Sequence, residues 1–171
     1  LTTSDGTFEM IGLAAGKHNL VVYSMDGAYE TFQQRAVVAE NALTPVQLAL
    51  RARTKTKVTF EVVLPFGMDK SLPLRLVSNL QPLGNAYAEL AAGSAGSAVN
   101  YPQMKRVGIN RYSMTLDLPV GFYLRYKYSF GDGFWNAELD KESKFRVRDL
   151  LVTENLTTKD RVFSFSAKAL I

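Results

Sequence analysis

At 171 residues the chain is long enough to bury one sizeable core or two modest ones, and its 47% hydrophobic content lies well outside the disordered regime. Lys and Arg exceed Asp and Glu by 20 to 16, and the basic residues are scattered (Arg51, Arg53, Lys55 and Lys57 are the densest group), which argues against a nucleic-acid partner. The absence of cysteine excludes a disulfide framework and a thiolate metal site, and no apolar run approaches the ~20 residues that span a bilayer.

Leu1-Thr2-Thr3-Ser4-Asp5 has neither the basic nor the apolar region of a signal peptide and no initiator Met. The expectation is a mature, processed or fragmentary chain. Strand signals then recur at short intervals. Thr7–Ile11 alternates after the turn pair Asp5-Gly6, and Asn19–Ser24 follows Ala15-Gly16-Lys17. A second turn pair, Asp26-Gly27, leads into Ala28–Ala39, read as one long or bent strand with Tyr29, Phe32 and Val37-Val38 facing a core. Asp-Gly between alternating runs marks a hairpin because glycine reaches positive φ without steric cost. Thr44–Leu50 completes the first region, with Pro45 near the strand entry, where a missing N–H is tolerable.

Arg51-Ala52-Arg53-Thr54-Lys55-Thr56-Lys57 carries no large apolar residue. It reads either as a linker or as a solvated edge strand running into Val58. Domains are therefore expected over 1–52 and 57–171. The second region opens with Val58–Leu64, stopped by Pro65-Phe66-Gly67, and continues with Leu72–Val77. The small-residue run Ala91–Ala98 predicts a surface loop. Strong strand patterns return at Arg111–Leu118, Tyr123–Phe130, Phe134–Glu138, Phe145–Arg148 and Arg161–Phe165. Many short strands with regular turn signals predict an all-β fold: two tandem immunoglobulin-like antiparallel β-sandwiches, the first incomplete at its N-terminus.

Two resemblances accompany these patterns. Thr3-Ser4-Asp5-Gly6-Thr7-Phe8, Gly12–Val22 and Asp26-Gly27-Ala28-Tyr29 resemble a carboxypeptidase regulatory-like (transthyretin-like) domain over roughly residues 2–50. That family has about two further strands ahead of this point. From roughly 57 to 166, Val58–Val62, Asn79 with Leu83-Gly84, Leu116–Gly121, Leu124–Tyr128, Trp135–Glu138 and Phe145-Arg146 resemble a starch-binding-like sandwich of the family 20 carbohydrate-binding type. The resemblance implies a glycan site in which sugar stacks on two tryptophans beside a lysine. Trp135 and Lys127 match, whereas the nearest aromatic to the other tryptophan position is Tyr87.

The residue inventory leaves little for catalysis. His18 is the sole histidine and sits just after a glycine turn, so a nucleophilic triad or histidine metal cluster lacks material. Glu138 with Asp140, or Asp117 with Glu61, are carboxylate pairs on paper, but nothing in their spacing marks an acid beside a nucleophile. Asp132 and Asp140 lack the repeated-aspartate loop that holds calcium. No enzyme activity, cofactor or metal is expected. For binding, an outward Trp135 would stack on a sugar face while Lys127, Asn136 and Glu138 bond its hydroxyls; the alternative is a Trp135 packed inside the sandwich. Asn155-Leu156-Thr157 is a glycosylation sequon, which matters only in a glycosylating secretory host.

The sequence thus predicts a non-catalytic segment of a larger secreted or cell-envelope protein, extracellular or at the cell surface, with a structural, adhesive, filament or surface-layer role. The alternative is a starch- or α-glucan-binding module attached to an enzyme outside this chain. Expected partners are a polysaccharide, or copies of the chain itself. The strands missing from the first sandwich come from upstream residues or by donation from a neighbouring subunit, unless a reduced sandwich suffices.

Overall fold

The computed structural model describes residues 3–68, 71–80, 83, 101–130 and 137–166, and these are all-β, with no α-helix among them. The chain divides into two compact units: Leu1–Ser24 with Tyr29–Arg51, and Met25–Ala28 with Ala52–Ile171.

Unit 1 contains one hairpin, β1 (Gly16–Val22) and β2 (Phe32–Val38), antiparallel with Leu20 opposite Gln34 and Val22 opposite Phe32. Alternation puts His18, Leu20 and Val22 with Phe32, Gln34 and Ala36 on the half-buried face. Thr7–Ile11 and Thr44–Leu50, both expected as strands, are unpaired in the structure. Thr44, Val46 and Leu48 still alternate half-buried with exposed neighbours, so the side-chain pattern of a strand is kept without a ladder beside it. The long strand expected over 28–39 shortens to β2. None of the described residues of unit 1 is buried, and Ile11 and Leu43 are 85% and 86% exposed.

Unit 2 is a sandwich. One sheet has the order β10-β3-β6-β5, formed by β3 (Lys55–Val63), β5 (Lys105–Arg106), β6 (Arg111–Pro119) and β10 (Leu156–Arg161). The other has the order β4-β7-β9, formed by β4 (Leu74–Ser78), β7 (Tyr123–Phe130) and β9 (Arg148–Leu151). A two-stranded ribbon pairs β8 (Glu138–Leu139) with β11 (Ser164–Phe165). Every ladder is antiparallel except β3–β10, which runs parallel with Leu156 opposite Val58.

The register explains the core. Val58, Phe60 and Val62 of β3 lie opposite Leu116, Met114 and Tyr112 of β6, so the inward rows of these two central strands are apolar. From the other sheet come Leu74, Leu76, Leu124, Tyr126, Tyr128 and Phe130, and all join one buried cluster. Phe60 meets Tyr126 edge to face, with ring centroids 5.1 Å apart. The segment Met25–Ala28 also belongs to this unit. Gly27 is buried at φ +67°, where a Cβ would lie 2.9 Å from the Phe122 ring, so any side chain there would be strained and would displace the ring.

Candidate functional site

The inward row of β10 is Leu156, Thr158 and Asp160, which places a carboxylate at the margin of the core. Both core tyrosines reach it: the Tyr126 and Tyr128 hydroxyls donate to Asp160 Oδ2 over 2.9 and 2.7 Å. Arg148 approaches from β9, with Nε 3.2 Å from Asp160 Oδ1, and its Nη1 pairs with Glu138 Oε1. The backbone N–H of Tyr128 also donates to Glu138 Oε1. Burial pushes the Glu138 carboxyl above its ordinary range, against the pull of Arg148. Burial also raises both tyrosines, with the Asp160 charge adding to it, so they remain donors. This network ties four strands together, β7, β8, β9 and β10, and leaves Glu138 Oε2 buried without a hydrogen-bond partner among the described residues.

Glu138 is therefore an interior residue, 0% exposed, and does not face a ligand as the sequence reading expected. Lys127 is interior as well, 1% exposed, with its ammonium 5.6 Å from the centroid of the Phe145 ring. The cause is a roof over the outer face of the β4-β7-β9 sheet, where Val77 and Tyr101 are buried and Val147 packs on them. Strand alternation alone would have left that face in water. Trp135, Asn136 and Tyr87, the remaining expected glycan contacts, lie outside the described residues, as does Asp132.

The other candidates are scattered. His18 Nε2 lies 2.7 Å from the Ala14 carbonyl, a local bond at the hairpin entry. Asp117 pairs with Lys57 at 3.2 Å. Glu61 stands four residues further along the same ladder, roughly 13 Å from Asp117 and beyond the ~5–9.5 Å that a glycosidase pair needs. Asn155 of the sequon is a structural tether, its Oδ1 accepting from the Thr56 hydroxyl at 2.7 Å and the Lys57 N–H at 2.9 Å. Among the described residues no three His, Asp or Glu side chains converge as metal ligands, and no helix is long and apolar enough to cross a membrane.

An open cleft of about 320 Å³ lies elsewhere in unit 2, lined by Asp140, Lys141, Glu142, Arg146, Arg161 and Phe163. Its construction follows from the local chain. Asp140 Oδ1 accepts from the Glu142 and Lys144 N–H groups, both at 2.9 Å, closing a tight turn after β8. The returning arm bonds back through Arg146 N–H to the Glu138 carbonyl, which sets Arg146 beside the turn. On the facing side Val162 turns inward, so Phe163 turns out and is 56% exposed. The β8–β11 register, Leu139 opposite Ser164, carries Phe163 to the level of Asp140. Arg148 fixes the end of β10 by donating from Nη2 to the Arg161 carbonyl at 3.0 Å. The product is an exposed aromatic face within a rim of side-chain donors and acceptors. The sequence held a clue in Arg161-Val162-Phe163-Ser164-Phe165, but in that run of apolar residues alternation does not say which row faces out.

No protein-family model matches the chain, and no curated protein sequence matches it. Solved structures similar to it include the glycoside hydrolase family 15 glucoamylase from Hypocrea jecorina, at 19% identity and TM-score 0.49, covering 71% of this chain and 19% of that one. Gamma-CGTase from alkalophilic Bacillus clarkii aligns at 17% identity and TM-score 0.46, covering 76% of this chain and 18% of the enzyme. The family 20 carbohydrate-binding module of the maltotetraose-forming amylase from Pseudomonas saccharophila aligns at 13% identity and TM-score 0.40, covering 62% of this chain and 99% of the module. The chain thus spans about a fifth of the two enzymes. At these identities and scores the likeness is one of chain path and does not bear on what the chain binds.

Proposed function

We propose that the chain is a non-catalytic module of a larger extracellular or cell-surface protein, and that it holds a polysaccharide in the cleft of unit 2. The observation that carries this reading is Phe163, a large apolar ring left 56% exposed inside a concave site with Asp140, Glu142, Arg146 and Arg161 around it. Sugars present an apolar C–H face bordered by hydroxyls. An exposed ring with hydrogen-bonding neighbours is the complement of that surface. The resemblance of residues 57–166 to starch-binding-like sandwiches supports the same class of ligand, with α-glucan as its named member. Affinity electrophoresis against a polysaccharide panel tests the proposal. Retardation of the native chain, abolished by Phe163→Ala, is the expected result; a panel without retardation, or a retardation that Phe163→Ala leaves intact, defeats it.

A second reading, a structural or adhesive segment, rests on unit 1. Met10, Ile11, Val37 and Leu43 are exposed there, and no described residue of the unit is buried. A chain with that surface associates with copies of itself or with another strand. Sedimentation velocity distinguishes the cases: a species whose mass rises with concentration favours self-association, and a monomer throughout rejects it.

A further inference from the structure

We infer that the polysaccharide held in this cleft is an anionic one, bearing carboxylate or other acidic groups on its sugars; the inference rests on the glycan-binding reading and narrows it. The charges of the cleft carry it. Lys141, Arg146 and Arg161 oppose Asp140 and Glu142, and the Asp140 carboxylate already accepts two backbone N–H groups through Oδ1. Among the described residues neither Arg146 nor Arg161 has an ion pair or a side-chain hydrogen bond. Other arginines of unit 2 are engaged: Arg148 with Glu138 and Asp160, Arg125 with Asp149, Arg106 with the Gly108 and Ile109 carbonyls, and Arg53 with the Val120 carbonyl. The two arginines in the cleft are thus left with their donor forks open while their backbones are held by the β frame, Arg146 through its N–H and Arg161 through its carbonyl.

A guanidinium presents paired N–H groups that match a carboxylate bidentately, and holding its backbone in place lowers the entropic cost of forming that pair. Phe163 beside them supplies the apolar surface on which the ring of the same sugar rests. A neutral glucan would satisfy Phe163 and leave both guanidinium forks without a carboxylate to bind in pairs. A uronate answers both.

The test titrates the full chain with polygalacturonate, with chondroitin sulfate and with neutral maltoheptaose by isothermal calorimetry at two salt concentrations. Expected is tighter binding of an acidic polymer than of maltoheptaose, weakened at higher salt and reduced about tenfold by Arg161→Ala or Arg146→Ala. Arg161→Lys, which keeps the charge and removes the fork, should restore part of the affinity, and Lys105→Ala on β5 should leave it unchanged. A preference for polygalacturonate over chondroitin sulfate identifies the carboxylate as the recognised group, and the reverse identifies the sulfate. Binding of maltoheptaose as tight as that of both acidic polymers, lost only with Phe163→Ala, overturns the inference while leaving the glycan reading intact. Equal loss of acidic-polymer binding in Lys105→Ala and Arg161→Ala reduces it to bulk charge and also overturns it. If none of the three ligands binds, both the inference and the reading beneath it fall.

Discussion

In unit 2 the inward row of β3 meets a second sheet: Val58, Phe60 and Val62 share a buried cluster with Leu74, Leu76, Leu124 and Tyr128. In unit 1, among the described residues, β1 pairs with β2 alone, and His18, Leu20 and Val22 remain half-exposed. Both regions are written in strands of alternating residues. The difference shows that alternation makes a face, whereas a core needs a second face to close on it. The site follows the same division, since the cleft with Phe163 stands on strands anchored in the closed sandwich.

The largest expected contrast comes from matched truncations. Phe60→Ala removes a fully buried ring from unit 2 and should cost about 3–5 kcal/mol in urea unfolding followed by circular dichroism. Leu20→Ala in unit 1 should cost less than about 1 kcal/mol, because the side chain never leaves water completely. Similar losses at the two positions would break the comparison.

Arg148→Met probes the polar end of the same core. It strands Glu138 and Asp160 with no cation between them, and about 3–5 kcal/mol of destabilisation is expected. Glu138→Leu in the same chain should recover part of the loss by removing one of the two orphaned charges, and the thermal midpoint reads both. A smaller effect attaches to Gly27→Ala, which combines positive φ with a Cβ pressed on Phe122 and should cost about 1–3 kcal/mol. Asn155→Ala, losing two bonds to the start of β3, should cost about 1–2 kcal/mol by the same measurement.

The strands of unit 2 were legible because β3, β6 and β7 alternate over eight or nine residues and are bounded by Pro65-Phe66-Gly67 and Pro119-Val120-Gly121. Thr44–Leu50 alternates equally well and forms no strand, since pairing depends on a neighbour that lies elsewhere in the sequence. The parallel partnership of β10 with β3 joins residues about a hundred positions apart and left no local mark. Lys127 was singled out as the lysine that the starch-binding-like resemblance implies, and Glu138 as a neighbour of Trp135 able to bond a sugar hydroxyl. The roof made by Val77, Tyr101 and Val147, and the arrival of Arg148 from β9, are long-range events that close both positions. Asn155 stood out in the sequence only as part of a sequon, and the fold reveals its Oδ1 bound to Thr56 and Lys57. Phe163 was visible as part of a strand; its outward direction required knowing that Val162 points in.

The most direct test of the account maps ligand onto the chain. Titration of the isotopically labelled protein with polygalacturonate oligosaccharides, followed by amide chemical shifts, should perturb residues 140–146 and 161–165 and leave β1 and β2 unmoved. Perturbations centred on 16–38, or none within 140–165, would contradict the assignment of binding to the cleft of unit 2.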